Sequence, residues 1–101
     1  MRKAIEFYED LERLKEEVRW LVQQGRVKIL WCHIKSLHPQ VTKTEILNGL
    51  VYGLYKHDRE HRGRYIAWSR LTHPPRLLRV VFEIRHTNGK SVIVVTAFEE
   101  E

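Results

Sequence analysis

The sequence predicts one small α+β domain in which helices cover a single side of a sheet. Three features predict it: an amphipathic pattern over the first 25 residues, a helix-start signal near residue 42, and two apolar segments separated by Asn-Gly. With 101 residues, 43% of them hydrophobic, the chain can bury one core but is too short for two ordinary domains. We therefore expect a single domain over residues 1–101, made of an N-terminal amphipathic helix (1–25) and a basic α+β body (26–101).

The N-terminal segment carries apolar residues at steps of three and four. These are Phe7, Leu11, Leu14, Val18 and Leu21. The spacing predicts an amphipathic helix of roughly 20 residues, over residues 4–24, that ends at Gly25. Its apolar stripe needs a partner surface. Packing on the rest of the domain is the simpler interpretation, and a homodimer or partner contact through the 4–24 helix is the alternative.

A short strand is predicted to follow the first helix. Residues 27–34 are rich in β-branched and aromatic side chains and lie between turn-forming residues, as is typical of a strand. Cys32 lies inside this apolar segment. We therefore expect it to be a small buried hydrophobe rather than an activated nucleophile.

A second helix is predicted to begin after residue 42. Thr42 and Glu45 have the spacing of a capping box, in which each side chain bonds the backbone amide of the other. Val41 and Ile46 occupy the positions of a hydrophobic staple, which is an independent signal for the same start. We expect this capped helix to run to about Gly53, followed by a polar loop over residues 56–63.

The C-terminal part is predicted to form a three-strand antiparallel meander. Residues 64–71 form the first strand, which His73-Pro74-Pro75 interrupts because proline cannot donate a ladder hydrogen bond. Residues 77–86 and 91–98 form the next two, joined by the Asn88-Gly89 turn. A two-residue turn there makes one sheet face wholly apolar and the other mixed. It predicts the pairs Ile84–Ile93, Phe82–Val95 and Val80–Ala97.

The formal net charge of +5 is concentrated in one region. Between Lys56 and Arg85, eight lysines or arginines occur with three acidic residues, and seven of the eight cations are arginine. Arginine presents a planar fork to phosphate and stacks on bases, so this composition favours a nucleic-acid partner. A solvated basic surface is the alternative interpretation for any single arginine.

Several classes of protein receive no support from the sequence. The single Cys32 excludes an internal disulfide framework and a cysteine-based zinc site. His57 and His61 have a spacing that would suit a metal on a helix, but the metalloprotease glutamate is missing and neighbouring cations oppose metal binding. Glycine-rich phosphate loops are also missing, so we expect neither a metal nor a cofactor.

The N-terminus is charged throughout, and no segment approaches the roughly 18 apolar residues that span a bilayer. We therefore expect a cytoplasmic protein that does not enter a membrane.

The remaining chemistry is cleavage of RNA at its 2′-hydroxyl without a metal. This reaction requires a base, an acid and positive charge near the phosphate. The candidate catalytic residues are His57, His61, Arg70 and Arg79, and the candidate RNA-binding residues are Arg62, Arg64, Trp68 and Arg85. By alternation Arg64, Trp68 and Arg70 share one strand face, which would place an indole between two guanidiniums. In the alternative interpretation, Ile66 and Trp68 belong to the core.

Several short segments, together spanning about two-thirds of the chain, resemble one known family. They are His38-Pro39-x-Val41, Glu45-Ile46, Asp58-Arg59-Glu60-His61, Arg64-Tyr65-Ile66-Ala67-Trp68-Ser69-Arg70, Leu77 to Glu83, and Val92 to Ala97. This pattern resembles the BrnT type of RelE-like toxins of bacterial toxin-antitoxin systems. The resemblance implies a small RelE-like sheet with helices on one side.

The resemblance also implies a metal-independent ribonuclease that inhibits translation. Its substrate would be RNA or ribosome-bound mRNA, and a cognate antitoxin protein would cover its basic surface. Members of the family commonly end the last strand with a basic residue after a Ser/Thr-Ala pair, whereas Phe98 and three glutamates follow Ala97 in this chain. Its N-terminal helix also looks longer than the family's. A non-catalytic RNA- or protein-binding module of the same fold is therefore the alternative, and a partner protein that docks an acidic protein is a further one.

Overall fold

A computed structural model describes residues 5–32, 34, 40–72, 75–86 and 88–100. The elements in chain order are β1 (Ile5–Glu6), α1 (Leu11–Gln23), β2 (Val27–Ile29), α2 (Lys43–Tyr52), β3 (Leu54–His57), β4 (Arg64–Thr72), β5 (Pro75–His86) and β6 (Lys90–Glu100). The predicted α+β class, with helices packed on one side of the sheet, is confirmed.

The sheet is built around the predicted meander. Its strand order is β2-β6-β5-β4-β3, and the β4–β5 and β5–β6 pairs are antiparallel. Three further strands extend the sheet beyond the meander, and of these only β2 corresponds to a predicted strand. Strand β3 pairs antiparallel with β4, β2 pairs parallel with β6, and β1 pairs antiparallel with β5 next to the first residue of β4.

Helix α1 is shorter than the sequence predicts. It begins after Asp10, whose carboxylate accepts a hydrogen bond from the amide of Glu12 at 2.9 Å, and the preceding residues 5–6 pair with β5 as a strand. An N-cap acceptor at residue 10 and an open strand edge beside residues 5–6 together prevent a helix from residue 4. Leu14, Val18 and Leu21 are fully buried within the domain. The domain's own core therefore buries the apolar stripe of α1. A dimer contact through α1 would have to use the exposed residues of the helix instead.

The predicted strand over residues 27–34 is wrong in its length. Strand β2 ends at Ile29, and Trp31, Cys32 and Ile34 lie in a helical turn. This turn buries Ile34 and leaves Cys32 exposed, so the expected burial of the cysteine is also wrong. The composition of residues 27–34 did not reveal that the strand ends at Ile29, because β-branched and aromatic residues suit a buried helical turn as well as a strand.

Helix α2 begins as predicted. The amide of Glu45 donates to the Thr42 hydroxyl at 3.2 Å, and the amide of Thr42 donates to the Glu45 carboxylate at 3.0 Å, which completes the capping box. The staple residues Val41 and Ile46 are buried. The helix ends at Gly53, where the backbones of α2 and β4 leave no room for a Cβ atom.

The predicted polar loop after α2 is also shorter. Residues 54–57 form strand β3, and the loop that follows covers residues 58–63. Strand β5 pairs along one edge of the nine-residue β4. The alternating segment after Gly53 pairs with the other edge, which would otherwise be open. His57 is consequently a strand residue.

The register of the β5–β6 hairpin differs from the prediction near its turn. Asn88 and Gly89 have the positive φ angles, 76° and 90°, that the Asn-Gly signal predicts. Lys90, however, pairs with His86, one residue earlier than expected, so the predicted pairs Ile84–Ile93 and Phe82–Val95 are wrong. The observed partners there are Val92 and Val94. A bulge at Val81/Phe82 then restores the expected pair Val80–Ala97.

The two faces of the sheet differ in character, as predicted. On the covered face, α1 and α2 pack against a continuous set of buried strand residues, which includes Tyr65, Leu78, Val80, Phe82, Ile84, Val92 and Val94. The opposite face is mixed, and we call it the open face. Its residues are Leu54, Lys56, Arg64, Ile66, Trp68, Arg70, Leu77, Arg79, Val81, Glu83, Arg85, Ile93, Thr96, Phe98 and Glu100.

Candidate nucleic-acid interface

Five of the eight predicted site residues lie on the open face. They are Arg64, Trp68, Arg70, Arg79 and Arg85. Alternation along β4 and β5 places them there, and the antiparallel register sets Trp68 directly opposite Arg79. The alternative in which Ile66 and Trp68 fill the core is wrong, because both are only partly buried and face away from the helices.

A cation–aromatic cluster occupies the middle of the open face. The guanidinium carbon of Arg79 lies 3.7 Å from the centroid of the Trp68 ring and 5.6 Å from that of Phe98. On β3, the Lys56 ammonium lies 5.5 Å from the same indole. Each such contact is worth about 0.5–2 kcal/mol, depending on desolvation. The Arg79 guanidinium is therefore held against aromatic surface at the centre of the open face.

Most of the open-face arginines already have carboxylate partners. Glu83 is buried between Arg64, at 3.6 Å, and Arg85, so these three side chains keep a formal charge of +1. Arg79 is paired with Glu100 at 2.9 Å. Arg70 is exposed, and among the described residues it has no carboxylate partner. Among the open-face arginines, its charge is thus the most available to an anionic ligand.

His57 lies on the covered face, at the edge of the sheet. Its ring stacks on Phe7 with 5.8 Å between centroids and tilts against Tyr65 at 5.5 Å. The ring atom Nε2 is 3.1 Å from the backbone oxygen of Glu9. Because a carbonyl oxygen only accepts, Nε2 carries the proton, and Nδ1 is the basic nitrogen of the neutral ring.

The sheet separates His57 from the candidate catalytic arginines. His57 pairs with Tyr65, whereas Arg70 lies five residues further along β4 and on the other face. At the rise of an extended strand this offset alone is about 16 Å. Proton transfer requires hydrogen-bond contact with the reacting group. His57 therefore does not share one reacting phosphate with Arg70 or Arg79 in this arrangement.

A groove at the end of the sheet brings the loop residues together. It has a volume of about 350 Å³, and we call it the loop groove. Its lining includes Phe7, His57, Arg59, Arg62 and Arg64. The guanidinium of Arg62 lies 4.1 Å from the Phe7 ring centroid, so this ring is flanked by a histidine and an arginine. Arg64 belongs to both the loop groove and the open face.

His61 is exposed in the same loop. Its described contact is through the backbone, where its carbonyl accepts from the Arg64 amide at 3.0 Å. The His57 and His61 side chains do not share a helical face, since residue 57 is in a strand and residue 61 in a turn. His38 and Pro39, which contribute to the family resemblance, lie outside the described residues.

Sequence reasoning missed four residues of these surfaces. Lys56 and Phe98 join the Trp68–Arg79 stack, and Phe7 and Glu9 contact His57. Alternation from Leu54 onward was a usable signal for Lys56. No local pattern links residues 7–9 with residue 57, because the contact forms only when β1 and β3 have both joined the sheet.

Within the described parts of the chain, no group of three or more histidine, cysteine, aspartate or glutamate side chains is placed to hold a metal ion. No helix of the described residues is long and apolar enough to cross a membrane.

No family model matches the chain, and no curated protein or solved structure matches it either. The fold and the site thus define a small α+β protein with an open, arginine- and aromatic-bearing sheet face.

Proposed function

We propose that this protein binds single-stranded RNA through the open face of its sheet. The observation that carries the proposal is the Trp68–Arg79 stack, which lies between Arg64 and Arg70 on the same strand face. Unpaired bases stack on aromatic rings and guanidinium planes, while neighbouring cations bind the phosphates. A duplex hides its base faces, so this combination suits a single strand.

The stronger form of the proposal is a metal-independent endoribonuclease of the RelE-like class, as the sequence resemblance implies. It is supported by Arg64, which borders both the open face and the loop groove, so that one strand of RNA can pass from the stack to His57. Arg59 and Arg62 line the same groove and can bind the phosphate under attack.

In that reaction the 2′-oxygen attacks the adjacent phosphorus, and the bond from phosphorus to the 5′-oxygen breaks. The products are a 2′,3′-cyclic phosphate and a free 5′-hydroxyl. His57 would take the proton of the 2′-hydroxyl on Nδ1, because Nε2 is already bonded to Glu9. A proton for the leaving oxygen would come from a second group, for which His61 is the candidate.

A ribonuclease of this type would act in the cytoplasm on free or ribosome-bound mRNA. A cognate antitoxin protein would neutralise it by covering the basic surface. Both statements depend on the RelE-like assignment.

The second candidate function is RNA binding without cleavage. Two observations favour it: His57 lies across the sheet from Arg70 and Arg79, and the side-chain carboxylate of Glu100 already pairs with Arg79. In this form the open face alone is functional.

The test is incubation of the purified protein with a labelled RNA of mixed sequence in EDTA, with and without ribosomes, together with a binding titration by fluorescence anisotropy. The variants are Arg70→Ala, Arg79→Ala and His57→Ala. Arg13→Ala, on the exposed side of α1, is the control that also removes one positive charge. We expect RNA binding that weakens about tenfold in Arg70→Ala and little in Arg13→Ala.

Fragments that disappear in the His57→Ala protein would support the nuclease and the loop groove as its centre. RNA that the wild-type protein binds but leaves intact, with equal binding by His57→Ala, would support RNA binding without cleavage. Failure of the wild-type protein to bind RNA at low salt would contradict both forms. Cleavage that survives in both Arg70→Ala and Arg79→Ala would contradict the catalytic roles predicted for these arginines.

A further inference from the structure

A second, more apolar depression lies on the open face beside the edge of the sheet. It has a volume of about 450 Å³ and is lined by Tyr52, Leu54, Trp68, Arg70 and Leu77, together with Ser69. We call it the edge groove. Tyr52 and Leu54 are 74% and 75% exposed, which makes them the most exposed large hydrophobic residues in the described part of the chain. Apolar side chains held in water at one place are typical of a binding surface.

The fold presents these side chains on an anchored turn. The amide of Gly53 bonds the carbonyl of Gly49 at 2.9 Å, and the carbonyl of Gly53 accepts from the Lys15 ammonium at 2.9 Å. The close approach of backbones at Gly53 permits no side chain there. Tyr52 and Leu54 are therefore held outward on either side of a fixed residue, so a ligand would meet a preorganised surface.

The walls of the edge groove combine aromatic surface with the guanidinium of Arg70. Leu54 pairs across the strands with Trp68, and Arg70 pairs with Leu77, so the apolar floor continues into the Trp68–Arg79 stack. Arg70, exposed at the rim, is the open-face arginine without a carboxylate partner among the described residues. An anion that binds it breaks no ion pair, unlike an anion that binds Arg64, Arg79 or Arg85.

We propose that the edge groove is a nucleotide subsite, in which one base of a bound RNA packs against Tyr52, Leu54 and Trp68 while Arg70 binds the adjacent phosphate. This inference rests on the proposed RNA-binding function and adds a base-binding position to it. The volume is in the range of pockets for small organic ligands, about 300–1,000 Å³. A planar base beside an anionic phosphate matches the aromatic walls and the Arg70 guanidinium.

The test compares two labelled oligonucleotides of the same length, an RNA with all its bases and an abasic ribose-phosphate chain. The base-dependent part of the affinity reports the edge groove together with the Trp68–Arg79 stack, whereas the affinity for the abasic chain reports phosphate contacts alone. The share of the base-dependent affinity that is lost in variants of Tyr52 and Leu54 belongs to the edge groove. We expect the wild-type protein to prefer the base-bearing RNA. In Tyr52→Ala this preference should fall about tenfold, the effect of removing one base–aromatic contact, while binding of the abasic chain is unchanged. In Leu54→Ala, which removes an apolar contact with the base, the preference should also fall but by a smaller factor.

Two matched controls sharpen the comparison. Trp20→Ala removes another exposed aromatic residue, 53% exposed and located on α1, and should keep the full preference. Arg70→Ala should weaken binding of both oligonucleotides by a similar factor, whereas Arg13→Ala should change neither by more than its small charge effect. The unfolding temperature of each variant is measured, and we expect no loss in Tyr52→Ala or Leu54→Ala because both side chains are exposed.

Equal binding of both oligonucleotides by the wild-type protein would overturn both the nucleotide subsite and the proposed stacking of bases on Trp68–Arg79. A preference that is present in the wild-type protein and unchanged in Tyr52→Ala and Leu54→Ala would overturn the nucleotide subsite and leave the RNA-binding proposal intact. Binding of neither oligonucleotide would overturn the subsite and the proposed function together. A dimer in analytical ultracentrifugation that these two variants abolish would overturn it in favour of a second copy of the chain.

Discussion

At the scale of single residues, the carboxylates of the open face determine how much of its arginine charge is available to a ligand. Glu100 pairs with Arg79 at 2.9 Å and occupies a position that a phosphate oxygen would take. Both side chains remain partly exposed, so the pair is of the kind that contributes about 0.2–1 kcal/mol. An anionic ligand would therefore compete with Glu100 at modest cost, which makes this carboxylate a built-in competitor of the proposed RNA.

The substitution Glu100→Gln should raise RNA affinity about threefold to fivefold, because Arg79 becomes free for a phosphate. The plot of log affinity against log salt should become steeper by about 0.7, as expected for one more phosphate contact on a single strand. Both quantities come from anisotropy titrations at several salt concentrations. Glu99→Gln is the matched control, since Glu99 pairs with Arg76 at 2.9 Å. An equal gain in both variants would mean that net charge alone is responsible.

At the scale of elements, the clearest local structure is the start of α2. The Thr42 and Glu45 side chains satisfy two backbone amides that the helix itself cannot bond. Glu45 also forms an ion pair with Arg76 at 2.6 Å, which ties the helix start to β5. The capping box thus both begins the helix and attaches it to the sheet.

The substitution Thr42→Ala should lower the free energy of unfolding by about 1 kcal/mol, because the amide of Glu45 loses its acceptor. Chemical denaturation followed by circular dichroism measures this change. Thr44→Ala, at an exposed position inside the first turn of the same helix, is the control and should have little effect. Equal losses in the two variants would show that the hydroxyl of Thr42 is not what stabilises the helix start.

At the scale of the whole molecule, the covered face holds two tyrosines in an environment that disfavours their charge. Tyr55 donates its hydroxyl proton to the carbonyl of Leu50 and packs edge-on against Phe82, with 5.4 Å between ring centroids. Burial raises the pKa of Tyr55 well above its ordinary value of 10.0. Burial also raises the pKa of Tyr65, whose hydroxyl accepts from the amide of Tyr8 at 2.7 Å.

The folded protein should therefore lose stability as the pH rises above 10.0, the pKa that an unfolded tyrosine has. Above this value the unfolded chain releases a proton that the folded chain retains, so unfolding becomes more favourable by about 1.4 kcal/mol per pH unit for each such tyrosine. Below it the stabilisation is fully present. Denaturation at a series of alkaline pH values measures the slope.

Tyr55→Phe is the variant for this prediction, because it removes one titrating group while keeping the ring. Its stability should fall less steeply above pH 10.0 than that of the wild-type protein. Tyr52→Phe is the control, since Tyr52 is 74% exposed. A wild-type slope that persists unchanged in Tyr55→Phe would contradict a protonated Tyr55 in the folded state.

Local chemistry explains the parts of the fold that could be predicted. The capping box at Thr42, the positive φ angles at Asn88-Gly89 and the period-two pattern of β5 each depend on residues close together in the chain. They suffice for the meander, for α2 and for the presence of one apolar and one mixed sheet face. They also suffice to place Arg64, Trp68 and Arg70 on one face of β4.

The sequence by itself thus determined the fold class, the capped helix, the meander and the arginine-bearing strand face, because a side chain's direction along a strand follows from alternation alone. Only the tertiary structure decided that β3 joins the sheet edge, that His57 lies across the sheet from Arg70, and that Glu100 pairs with Arg79. Each of these depends on which distant segments meet. That choice is made by the packing of the whole chain rather than by any local preference.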